Sequence, residues 1–174
     1  MTARPVVTPG GITMPTNNRD ARDMIARALP PPVALLVAGA LMWLTQAYTA
    51  WPALAFRGQT VLVALVAVSG LALMIWAAVL FRRQRTTLNP LAPEETSGIV
   101  DAGPYRWSRN PMYVGDAVLL IAWGIYLGSA LALIWIPAFV AWIHWQQIPR
   151  EEATLARHFG DRYHRYCQQV RRWI

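Results

Sequence analysis

"VLVALVAVSGLALMIWAAVLF", positions 61–81, runs for 21 residues without a charge. About 20 apolar residues suffice to carry a helix across the bilayer hydrocarbon, so this stretch predicts a membrane span. Upstream, "VALLVAGALMWLTQAYTA" at 33–50 predicts another, entered through Pro30, Pro31 and Pro32 and left through Trp51 and Pro52. Downstream lie two 16-residue apolar runs, 112–127 and 130–145, separated only by Gly128 and Ser129. At 1.5 Å per residue each covers roughly 24 Å, short of the ~30 Å hydrocarbon core. The pair is expected to form a tight hairpin that thins the bilayer or stops before its far face. Gly128, Ser129 and Pro137 argue against one long helix. The fold class expected is therefore an all-α integral membrane protein with four hydrophobic helices and an amphipathic C-terminal helix.

Composition agrees. Of 174 residues, 55% are hydrophobic and 14% charged, whereas a soluble domain carries about 25% charged residues. The net charge of +7 sits beside apolar runs, where basic residues report topology and anionic headgroups rather than nucleic acid. Cys167 is the sole cysteine and the three histidines are scattered, so neither a disulfide nor a metal site is expected. Positions 1–29 read as a polar tail, partly disordered, without the apolar core of a cleavable signal peptide. Positions 30–174 read as one domain.

Arginines set the expected orientation. Four precede the first span, three follow the second, Arg106 and Arg109 lie in the long loop, and six follow Trp145; only Arg57 lies in the short loop. An even number of crossings puts fifteen of sixteen on one side, which the positive-inside rule makes cytoplasmic. Both termini, 86–111 and 146–174 are expected there, in a bacterial inner membrane. In the last segment Leu155, Phe159, Tyr163, Tyr166, Val170 and Trp173 recur at steps of three and four. That spacing predicts an amphipathic helix lying on the bilayer, loosened at Gly160.

The chain lacks a G-x-G-x-x-G, a Walker sequence and a serine elbow, so nucleotide-cofactor and serine-hydrolase chemistry are not indicated. Asp116, an acid within an apolar run, is read as supporting the start of the hairpin. The remaining polar residues gather just before the hairpin and just after it. A hairpin returns its ends to one surface, so the two groups should meet. Together they offer Tyr105, Arg109, Asn110, Tyr113, Gln147, Glu151 and Glu152, with backbone donors around Gly103, Pro104 and Pro111. Such a set suits a compact zwitterion carrying an aromatic ring. Each residue alone could equally be a topology anchor or a member of an aromatic belt.

The segments "SGIVDAGPYRWSRNPMYVGD" and "EEATLARHFGDRYHRY", and the ending "VRRWI", resemble the isoprenylcysteine carboxyl methyltransferase family, itself related to the phospholipid N-methyltransferases. The resemblance covers roughly the second half of the chain. It implies a membrane methyltransferase using S-adenosyl-L-methionine and acting on a lipophilic acceptor that arrives from the bilayer. Carried over by position, it places cofactor contacts on Ser97, Gly98, Ile99, Val100, Tyr105, Asn110, Pro111, Met112, Tyr113 and Glu151. The family's eukaryotic enzymes have histidine at the position of Asn110, and a substrate-binding arginine at that of Gln147. A glutamine cannot clamp a carboxylate as a charged fork. The sequence looks closer to the bacterial branch, some of whose members methylate polyketide phenols or pyrones.

Residue chemistry fits that cofactor. Its sulfonium and ammonium would find acceptors and aromatic faces in Glu151, Tyr105 and Tyr113. Its carboxylate would find Arg109 and the turn at 110–112. A phenolic acceptor would need to lose a proton, with Glu152 or a water as the base. Phospholipid N-methylation and a non-catalytic membrane scaffold remain as alternatives.

Overall fold

A computed structural model describes residues 30–49, 54–85 and 99–174. The tail at 1–29 and the expected cofactor contacts Ser97 and Gly98 lie outside the described residues. All regular structure among those described is helical: α1 (Pro31–Tyr48), α2 (Gln59–Arg85), α3 (Pro111–Leu127), α4 (Trp135–Trp142), α5 (Ile148–Phe159) and α6 (Asp161–Gln169).

Three helical runs are long and apolar enough to cross a membrane, Pro31–Tyr48, Gln59–Arg83 and Leu131–Phe159, whereas α3 has 17 residues. The outward faces are apolar too. Leu36, Leu65 and Val68 are each about two-thirds exposed, as lipid-facing side chains of a membrane protein would be. What α1 buries is a narrow stripe of Ala34, Ala38 and Met42, spaced four apart on one face.

The α2–α3 pair forms the centre. Gly70 and Gly115 face each other across it: a Cβ at Gly115 would lie 2.9 Å from the Gly70 carbonyl oxygen and 2.4 Å from Met74 Cγ. Small residues at this crossing let the two backbones approach, the usual device where lipid removes any hydrophobic drive to associate. Trp123 Nε1 donates to the Gly39 carbonyl at 3.0 Å, and Trp135 Nε1 donates to Thr45 Oγ1 at 2.8 Å. Both bonds tie α1 to the hairpin.

The hairpin turns as expected. Gly128 closes α3 with φ of 63°, and the Leu54 N–H donates to its carbonyl at 2.8 Å. A side chain there would run into the Leu54 backbone.

The second arm departs from expectation. It does not end at Trp145. A 3₁₀ turn (Leu131–Ile134), α4, a π-helical turn (Ile143–Gln147) and α5 follow one another as one 29-residue run. The polar stretch after Trp145 marks a change of surroundings, not of backbone. Pro149 lacks an N–H and would crowd the carbonyl one turn back; the wider π turn just before it accommodates both.

The amphipathic segment is likewise not one helix on the bilayer. Gly160, at φ 51° and ψ −129°, breaks it into α5 and α6. Its apolar face turns inward: Tyr163, Tyr166 and Val170 are buried, with Ile99, Leu155 and Phe159 packed against them.

Candidate functional site

The strand of chain before α3 is built against α2. Gly103 has φ of 57°, and a Cβ there would come within 2.6 Å of Leu80 Cδ1 and 3.1 Å of the Trp76 ring. Glycine lets the chain turn in this close approach. A 3₁₀ turn (Gly103–Arg106) follows, and Trp107 meets Trp76 edge to face at 6.4 Å. Tyr105 is thereby buried, and Tyr166 Oη donates to its carbonyl at 2.7 Å. Burial, with the negative charge of Glu151 as the smaller cause, pushes the Tyr105 phenol up to about 12. Burial likewise raises Tyr166. Both hydroxyls stay protonated at neutral pH.

Across from this turn stands the start of α5. Glu151 Oε1 accepts from Tyr113 Oη at 2.6 Å and from Gln147 Nε2 at 2.7 Å. Its neighbour Glu152 pairs with Arg109 Nη2 at 3.3 Å and accepts from Arg172 Nε at 3.1 Å. The two polar groups on either side of the hairpin do meet.

A third segment joins them. The Arg109 N–H donates to the Arg171 carbonyl and Asn110 Nδ2 to the Arg172 carbonyl, each at 2.9 Å. Trp173 Nε1 donates to His144 Nδ1 at 3.0 Å, and Arg172 Nη1 lies 3.3 Å from the other ring nitrogen. The C-terminal residues thus strap the 108–110 turn to the second arm of the hairpin. One side-chain donor of Asn110 is committed to this strap.

Between these walls lies a cavity of about 900 Å³, at the upper end of the range for small-molecule sites. Ile99, Val100, Tyr105, Arg109, Asn110, Pro111, Met112, Tyr113, Glu151 and Glu152 all line it. Gln147 does not; it stands behind Glu151 and orients it. Sequence reasoning missed Phe81, His158, Leu155, Phe159, Tyr163 and Tyr166, which also line it. The signal for the last four was the periodic face assigned to lipid.

The lining suits a cationic, zwitterionic nucleoside. Arg109 Nε is buried with no hydrogen-bond partner among the described residues, a donor that an anion in the cavity would satisfy. Aromatic rings and a carboxylate stand on the same walls.

The sequence model of the family described as "Phospholipid methyltransferase" matches residues 58–162. The chain belongs to the phospholipid methyltransferase family. The match takes in both walls of the cavity and stops short of Tyr163, Tyr166 and the C-terminal strap. Within this methyltransferase family the chain is an integral membrane protein. It is 44% identical over 63 residues to an uncharacterized protein of Haemophilus influenzae (strain ATCC 51907 / DSM 11121 / KW20 / Rd), covering 36% of this chain and all of that one. It is 31% identical over 88 residues to Protein-S-isoprenylcysteine O-methyltransferase A of Arabidopsis thaliana. That alignment covers 51% of this chain and 45% of the plant protein, so the chain spans under half of that relative's length. No solved structure matches the chain.

Proposed function

We propose that the protein is an S-adenosyl-L-methionine-dependent membrane methyltransferase that O-methylates a lipophilic acceptor. The observation that carries this reading is the fold-back. It sets the 109–113 turn and Glu151 on facing walls of one cavity, at the end of apolar helices.

The bound cofactor would supply an electrophilic methyl group on a sulfonium. The chain's own residues bind and align. Arg109 takes the amino-acid carboxylate, and Glu151, fixed by two donors, takes positive charge. The faces of Tyr105 and Tyr113 flank the site. Ile99, Val100, Leu155 and Phe159 keep water from it. Alignment of acceptor oxygen, methyl and sulfur is the main source of rate in such a displacement. Ser97 and Gly98 complete the proposed cofactor set.

Gln147 supports a neutral acceptor. Its amide donates to Glu151, so this position brings up a carboxylate and adds no charged fork of its own. A carboxylate acceptor would meet like charge there. A neutral phenol or enol, such as a polyketide phenol or pyrone, would not. Glu152 is paired with two arginines, which suits charge compensation better than proton abstraction. Loss of the acceptor proton would fall to water. The acceptor's apolar part would reach the cavity from the bilayer, with the site and both termini on the cytoplasmic side of a bacterial inner membrane.

Purified protein in lipid, given methyl-labelled cofactor and a lipid extract, should transfer label into an organic-soluble product, and Glu151→Ala should abolish it. The family's description favours one rival, methylation of a phospholipid amine. Label recovered in phosphatidylethanolamine derivatives would establish that rival. Absence of any binding to S-adenosylhomocysteine would leave a non-catalytic membrane protein.

A further inference from the structure

Glu152 is shared unequally between two guanidinium groups. Arg172 grips it as a fork, through Nε on Oε1 at 3.1 Å and Nη2 on Oε2. Arg109 reaches only Oε1, through Nη2 at 3.3 Å. Forked pairs are the stronger and more directional kind. Of the two guanidiniums that face this carboxylate, one therefore keeps the weaker, single-oxygen contact. That one is Arg109, the side chain that lines the cavity and whose buried Nε has no hydrogen-bond partner among the described residues.

Arg172 is itself held from both sides. Its carbonyl accepts from Asn110 Nδ2, and the next residue, Trp173, is bonded to His144. The same strap holds the Arg109 backbone through the Arg171 carbonyl, so the difference lies in the side chains: that of Arg109 lines the cavity and that of Arg172 does not.

We propose that Arg172 is a positioning residue: by occupying Glu152 as a fork, it keeps Arg109 from collapsing onto that carboxylate and leaves Arg109 to take an anion in the cavity. This rests on the reading of the cavity as a cofactor site, where the anion is the amino-acid carboxylate. Without Arg172, Glu152 turns its two oxygens to Arg109, Nε gains a partner within the protein, and the donors facing the ligand are lost.

Two probes separate this from a merely structural role. S-adenosylhomocysteine carries the amino-acid group; 5′-methylthioadenosine has the same nucleoside thioether without it. Calorimetry on the full chain in detergent should show Arg172→Gln weakening the first by about tenfold or more, the worth of a charge-assisted contact. The second should bind as in the parent. Arg172→Lys, which cannot form a fork, should fall between. The double variant Glu152→Gln with Arg172→Gln should recover affinity, because Arg109 is no longer captured. Equal loss for both probes, no loss for either, or a double variant no better than the single one would overturn the proposal. If the parent protein binds neither probe, the cofactor reading itself fails, and that result is distinct from all three.

Discussion

Tyr113 and Glu151, 38 residues apart in the chain, meet in a 2.6 Å hydrogen bond that joins the first turn of α3 to the first turn of α5. With Gln147 donating to the same oxygen, the Glu151 carboxylate is held in one orientation before any ligand arrives. Pre-set acceptors of this kind lose little on binding a cation. Tyr113→Phe keeps the ring and removes the hydroxyl, so it should weaken S-adenosylhomocysteine by about three- to tenfold. Glu151→Gln removes the charge and should weaken it by more than tenfold. Calorimetry in detergent reads both. Unchanged binding in each would displace the cofactor's positive end from this corner.

The crossing of α2 and α3 predicts a stability effect with no direct role for a ligand. Gly115→Ala would put a methyl 2.4 Å from Met74 Cγ and 2.9 Å from the Gly70 carbonyl. Met74 can move; the Gly70 backbone cannot without separating the helices. Overpacking of this sort costs about 1–3 kcal/mol. Gly39→Ala, where nothing lies within 4 Å, is the matched control and should leave thermal unfolding unchanged. Equal melting temperatures for the two variants would show that the crossing tolerates a wider spacing.

How much of this was legible beforehand follows from which forces act locally. Spans at 33–50 and 61–81 and the turn at Gly128 follow from apolar length and from one glycine, so the sequence showed them. The meeting of Arg109–Tyr113 with Glu151 followed from hairpin topology alone. The helix past Trp145 was hidden because polarity marks where solvent begins, not where a backbone stops. The inward face of Tyr163 and Tyr166 was hidden because a periodic apolar face is the same signal whether lipid or protein covers it. Pairing of Arg172 with Glu152, 20 residues away, depends on a break at Gly160 whose direction no local rule supplies.

Alkaline pH should loosen the turn before α3. The Tyr105 phenol lies at about 12 in the folded protein against 10.0 ordinarily, chiefly through burial. Below pH 10 it is protonated folded or unfolded, and its contribution to stability is complete. Between about 10 and 12 the unfolded chain loses the proton first, so stability falls as pH rises. Thermal unfolding followed from pH 8 to pH 12 should show this decline, and Tyr105→Phe should make it shallower. Identical slopes for the two proteins would mean that Tyr105 is reached by water in solution.

Gln147 offers the sharpest test of acceptor choice, because the prediction is a gain. The residue sits in the π-helical turn, one helical turn before Glu151, and its amide donates to that carboxylate. Gln147→Arg introduces a charged fork beside Glu151. An arginine can pair with Glu151 through one edge and still present the other to a ligand carboxylate. Methylation of a prenylated cysteine carboxylate should therefore rise by about tenfold or more relative to the parent, the scale of one charged, forked contact. Transfer to a neutral phenolic acceptor should fall, since a bulkier cation then occupies its corner. Assaying both acceptors with one enzyme preparation cancels any loss of folded protein. A ratio that stays constant would separate acceptor choice from this position and shift attention to the apolar wall formed by Phe81 and Met112.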